Sequence, residues 1–207
     1  MTTHTTDSSN SAQEVRFYFD VTCPFAWVTS RWIKEVEKVR NIKVTWVPMS
    51  LWVLNEGREE LPTDYKEKMK AARLPALVMA QIATEAPEKL GDFYTALGTK
   101  IHNEGNKDFP ALIDATKAEL GIEAGGDPDA WEKALRTFHQ GAIDAVGDEV
   151  GTPVVQFGDT AFFGPVITRI PRGEDAGELF DASVRLAQNP YFFELKRTRT
   201  ESPQFDA

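Results

Sequence analysis

The chain has 207 residues, 42% hydrophobic and 27% charged, with a formal net charge of -9. This length suits one domain, or one domain with a large insertion, and the balance of charged and apolar residues excludes wholesale disorder. No apolar run reaches the roughly 18–20 residues of a membrane span, and the acidic balance argues against nucleic acid or an anionic membrane as partner.

The N-terminal MTTHTTDSSNSAQE lacks the basic start and apolar stretch of a secretory signal. Residues 1–13 are expected to be a disordered tail, and the expected compartment is the cytoplasm. From Val15 to Val21, apolar Val15, Phe17, Phe19 and Val21 alternate with Arg16, Tyr18 and Asp20, a strand pattern. In the next stretch Val28, Trp32, Val36 and Val39 recur at helical spacing. Pro24 suits the first helical position, which makes Cys23 the N-cap. Ile42 to Met49 alternates again, so the first fifty residues spell strand–helix–strand.

Residues 60–147 read as helical throughout. One helix starts at Thr63 or Asp64 and carries Tyr65, Met69, Leu77, Val78 and Ile82, with Pro75 expected to bend or break it. Glu88 to Ile101 gives a second and Phe109 to Leu120 a third, ended by Gly121. Asp127-Pro128 is an N-cap followed by proline, opening the stripe Trp131, Leu135, Phe138, Ala142 and Val146. His139 lies beside that stripe and is expected at the surface. Strands return with PVVQF (Pro153 to Phe157), a Gly158-Asp159 turn and TAFFG, which together make a hairpin. A last helix runs from Glu174 to Leu186, and the aromatic cluster Tyr191, Phe192 and Phe193 is expected to pack down. This order of elements fits an α/β thioredoxin-like fold with a helical insertion. The thioredoxin-like part would be residues 14–59 and 148–207, and the inserted helical domain residues 60–147. Other α+β arrangements share the order.

Cys23 is the chain's single cysteine, so it can close neither an intramolecular disulfide nor a cysteine-based zinc site. At an N-cap its sulfur faces the unpaired N–H groups of the next turn and the positive end of the helix dipole. Both favour thiolate, and a thiol tuned to about 5 is almost wholly ionised at neutral pH. Thr152-Pro153 opens the third strand, where a thioredoxin fold places a cis-proline beside the reactive sulfur. The three histidines show no metal spacing, so no metal is expected. GIEAGGDP lacks the lysine of a phosphate loop. The basic ELKRTR segment either reaches a ligand or balances acidic neighbours, and Trp27 and Trp52 are candidates to border a cleft.

The segments FYFDVTCPFAWVTSRWI, MSLWVLNE, LPTDYKEKM, IHNEGN, DAVGDEVGTPVV, AFFGPVITRIPRGE and FFELKRTRTE resemble the actinobacterial DsbA-like, mycothiol-dependent reductase and nitroreductase family. More distantly, the chain is similar to kappa-class glutathione transferases and chromene-carboxylate isomerases. The resemblance implies a nucleophilic Cys23, a cis peptide at Thr152-Pro153 and mycothiol as thiol cosubstrate. It places Asn55, Tyr65 and His102 in the substrate cleft, with Pro24, Phe25, Trp27, Thr152 and Pro153 as further binding residues. From the residues alone, Asn55 also fits a turn cap, Tyr65 a core position and His102 a satisfied helix-end histidine. The chain departs from the family's Cys-Pro-Trp-Cys motif at Cys23-Pro24-Phe25-Ala26. The resolving cysteine is absent, which leaves a monothiol cycle. Implied partners are low-molecular-weight thiols and disulfides, and a homodimer is compatible with the chain. The alternatives are a thiol transferase or isomerase in which the bound thiol does the chemistry, and a redox-inactive binding protein or chaperone.

Overall fold

The computed structural model describes residues 11–123 and 125–206. Most of the tail expected over residues 1–13 lies outside them, and Gln13 already belongs to the first strand. The described residues form a mixed α/β fold with one sheet of four strands: β1 (Gln13–Phe19), β2 (Ile42–Pro48), β3 (Val154–Phe157) and β4 (Thr160–Phe163), in the order β2-β1-β3-β4. β1 pairs parallel with β2, setting Phe17 beside Trp46, and antiparallel with β3, setting Phe17 beside Val155. β3 and β4 form the expected hairpin, and Gly158 takes the positive φ of 61° that a two-residue turn with glycine first requires.

Helix α1 (Pro24–Val36) connects the two parallel strands. Its Trp32 and Ile33 pack with Val15, Phe17 and Phe19 of β1 in the main core. α7 (Gly173–Ala187) packs against α1, where the Trp32 indole donates to Ala176 O at 3.0 Å. Between β2 and β3 the chain forms α2 (Leu51–Asn55), α3 (Thr63–Glu85), α4 (Leu90–Gly98), α5 (Phe109–Glu119) and α6 (Pro128–Val146). Asp108 and Asp127 cap α5 and α6 through Ala111 N and Asp129 N, each ahead of a proline. No helix among the described residues is long and apolar enough to cross a membrane.

Several expectations change. β1 is buried on both sides: Tyr18, assigned to the polar side, packs with Met49, Val154 and Ala142 of α6. A central strand covered on both faces loses clean alternation. α3 runs through Pro75 unbroken. The helix expected from Glu88 to Ile101 divides into a 3-10 turn (Pro87–Lys89), α4 and a π turn (Thr99–Asn103). α2 carries no sequence signal beyond Ser50, whose side chain caps Val53 N. His139 is buried, not at the surface, because it lies one turn after the buried Leu135 on α6. Tyr191 and Phe193 are 87% and 83% exposed, and of that cluster only Phe192 packs down, against Phe162.

Candidate active site

The site is built where β1 ends and α1 begins. Asp20, at the end of the strand, is buried and accepts three hydrogen bonds: from Thr22 N at 2.8 Å, from the Thr22 hydroxyl at 2.7 Å and from Leu51 N at 2.8 Å. One carboxylate therefore fixes both the loop before Cys23 and the start of α2. Its role was hidden in the sequence, where it reads as the polar residue of an alternating strand. Burial raises its pKa, and the Thr22 and Leu51 contacts oppose the rise.

Cys23 is the N-cap of α1, with Pro24 following, as the sequence implies. Its sulfur accepts the Ala26 N–H at 3.5 Å and donates to the Thr152 carbonyl at 3.3 Å. The Thr152–Pro153 peptide is cis, and so is Gly164–Pro165. Thr152 and Pro153 are buried, and the Thr152 hydroxyl has no hydrogen-bond partner while Cys23 is a thiol, which leaves it free to donate to a thiolate. Burial opposes the expected ionisation in this closed arrangement. Cys23 is only 6% exposed. Burial pushes its thiol up from the ordinary value; the Thr152 side chain and the Ala26 N–H pull it down, and Asp20 adds to the rise. Desolvation of a thiolate outweighs one helix terminus.

A second wall comes from the π turn. The His102 ring stacks on Trp27, with centroids 5.5 Å apart and planes at 20°. His102 Nε2 lies 2.8 Å from Val21 O, within the loop before Cys23. A backbone carbonyl only accepts, so Nε2 carries the proton. Burial pushes the His102 pKa down to about 4, so the ring is neutral at pH 7. The Trp27 indole donates to Asn103 Oδ1 at 3.1 Å, and Arg31 lies over the Trp27 ring at 4.2 Å. Trp27 reaches α4 because Gly98 has no side chain: an added Cβ would overlap the indole.

Of the other sequence candidates, Phe25 is half-buried at the start of α1, with the Arg199 guanidinium over its ring at 4.7 Å. Tyr65, near the start of α3, is half-buried. Burial raises its pKa, and Cys23 and Asp20 add to the rise, which places the phenol within their electrostatic reach. The Asn55 amide donates to Leu51 O at 2.8 Å inside its own helix, the turn-capping role its residue type also fits. Trp52 lies under Arg73 and Arg136 and packs against the cluster of Ala76, Leu77, Ala80 and Leu135. The Arg199 contact assigns part of the basic segment to the site. Among the described residues, no group of three or more His, Cys, Asp and Glu is placed to hold a metal ion.

A family model described as Rv2466c-like, mycothiol-dependent nitroreductase Rv2466c, matches residues 22–197. The chain belongs to the Rv2466c-like family. The match to this family begins beside Cys23 and continues past α7. An uncharacterized protein of Mycobacterium tuberculosis, Rv2286c, is 29% identical over 196 residues, covering 90% of this chain and 82% of that one. The fold is similar to a probable DsbA oxidoreductase from Streptomyces coelicolor, with TM-score 0.54 and 15% identity, covering 94% of this chain and 97% of that one. It is also similar to a 2-hydroxychromene-2-carboxylate isomerase, with TM-score 0.53 and 17% identity, covering 84% and 95%. The Rv2466c-like assignment and the DsbA-like fold agree with the family resemblance carried by the motifs.

Proposed function

We propose that the protein is a cytoplasmic thiol–disulfide oxidoreductase that works through Cys23 alone, with mycothiol as cosubstrate. The observation that carries this reading is the seat of the sulfur: at the N-terminus of α1, on the Ala26 N–H, against the Thr152 carbonyl and beside the cis Pro153. Opening the cleft would remove the desolvation that suppresses ionisation and leave the helix terminus and the Thr152 hydroxyl to stabilise a thiolate. Cys23 thiolate then attacks the mycothiol sulfur of a mixed disulfide. The original S–S bond breaks, the partner leaves as a thiolate and takes a proton, and a Cys23–mycothiol disulfide forms. A second mycothiol, as thiolate, attacks its mycothiol sulfur, releasing mycothiol disulfide and Cys23. The net exchange converts one mixed disulfide and one mycothiol into one free thiol and one mycothiol disulfide. Ala26 in place of a second cysteine requires that the second sulfur come from outside. Pro24, Phe25, Trp27, Tyr65, His102, Thr152 and Pro153 form the binding surface in this reading, and Asn55 supports it through α2.

A second reading, a thiol transferase or isomerase in which the bound thiol is the reacting group, is favoured by the upward push that burial gives the Cys23 thiol. Cys23→Ser separates the two. Turnover of a mycothiol mixed disulfide falls at least about a thousandfold if Cys23 is the nucleophile. Full turnover in the variant contradicts the oxidoreductase reading.

A further inference from the structure

After α7 the chain has no regular structure, yet it crosses the site. Phe192 packs on Phe162 of β4. Glu201 accepts from the Thr168 hydroxyl at 2.5 Å and pairs with Arg169 at 2.7 Å. Gln204 N donates to Thr168 O at 2.7 Å. The segment then reaches the π turn: Phe205 meets the His102 ring at 5.4 Å, and Asp206 accepts from Asn103 Nδ2 at 2.6 Å. Asn103 is the residue that also accepts from Trp27. Between Phe192 and Glu201, among the described residues, Arg199 over Phe25 makes the only ring or polar contact.

The tail thus touches Phe25, two residues after the sulfur, and His102, whose Nε2 is bonded to Val21 two residues before it. Phe205 also packs against the core cluster that contains Cys23 and Trp27. It forms a wall distinct from Thr152 and Pro153. This wall is held by one backbone bond, Gln204 N to Thr168 O, by half-buried Phe205 and otherwise by surface side-chain contacts, each weak and able to break without unfolding α1 or the sheet.

We propose that segment 199–206 is a size filter over Cys23 that admits disulfides between two low-molecular-weight thiols and excludes disulfides on folded protein surfaces. The inference rests on Cys23 being the nucleophile and names the substrate class for that reaction. Attack requires approach along the S–S axis. A small disulfide needs only one of the two contacts, Arg199 on Phe25 or Phe205 on His102, to part. A protein disulfide brings flanking backbone on both sides and needs the whole strap displaced.

The test compares N-ethylmaleimide with a maleimide on a long poly(ethylene glycol) chain. Both react with the same thiolate, so the ratio of their rates is independent of the Cys23 pKa. Arg199→Ala raises the rate of the large reagent about fivefold and Phe205→Ala about tenfold, while the small reagent changes by less than about twofold. Arg199 is exposed, so its variant tests the filter without risk to the core. An unchanged ratio in both variants overturns the proposal. Exposure of the wild-type protein to mycothiol disulfide separates the two claims: an adduct on Cys23 with no shift in ratio sinks the filter alone, and a shifted ratio with no adduct sinks the nucleophile alone.

Discussion

The two walls of the cleft are built differently. The first, Asp20 to Ala26 with Thr152 and Pro153, is held through the backbone: a carboxylate on two N–H groups, an N-cap sulfur on a third, and a carbonyl under the thiol. The second, the π turn with Trp27 and the C-terminal strap, is held mostly through side chains: a stacked ring, an indole on an amide, an amide on a carboxylate and a guanidinium over a phenyl. The first wall holds the Cys23 sulfur, the proposed reacting atom, through backbone contacts. The second, in the filter proposed above, selects what reaches that atom. Perturbing the first is expected to change chemistry, and perturbing the second to change stability and selectivity.

The largest effect on the second wall comes from Gly98. In Gly98→Ala the new Cβ overlaps the Trp27 ring, forcing the indole or α4 to move. Overpacking at so buried a site costs about 3 kcal/mol, measured by urea unfolding, and it loosens the Trp27–Asn103 bond. An unchanged stability would show that Trp27 is not wedged against α4.

Next is His102. Its pKa is pushed down to about 4 from the ordinary 6.5, mainly by burial. The folded state therefore prefers the neutral ring. The stability linked to this group is complete above pH 6.5 and is lost as the pH falls towards 4, by about 3 kcal/mol. Asp20, whose pKa is raised by burial, contributes in the opposite direction in acid. The measurement is thus the difference between wild type and His102→Gln from pH 7 to pH 4.5. Wild type loses more, and equal losses would place His102 in solvent.

A smaller effect sharpens the first wall. The Thr152 side chain lowers the Cys23 pKa against the effect of burial. Thr152→Val keeps the shape and removes the hydroxyl, so the thiol titrates higher still. Alkylation of Cys23 at pH 7.5 slows by about tenfold, while the rate at a pH high enough to ionise the thiol fully is unchanged. Equal rates at both pH values would show that the hydroxyl does not support the thiolate.

The same division explains what the sequence revealed. Cys23-Pro24, Thr152-Pro153, Asp127-Pro128 and Gly158-Asp159 are backbone devices with short-range signatures, and the structure realises each one. Side-chain devices join distant residues and leave no local pattern. Asp20 reads as one polar residue of a strand, and its link to Leu51 spans 31 positions. The contact between Asn103 and Asp206 spans 103. The π turn leaves no signature because its residues share the apolar period of α4, and His139 is buried although the sequence points it to the surface, because helical spacing does not say which flank of a stripe is covered. Burial, which opposes the helix terminus at Cys23, depends on contacts that a sequence does not supply.

The central claim, that Cys23 is the nucleophile of a one-thiol cycle, is tested most directly by intact mass spectrometry after exposure to mycothiol disulfide. The account predicts one mycothiol per chain, attached at Cys23 and released by free mycothiol. A protein that stays unmodified under those conditions, with its thiol still free, would contradict it.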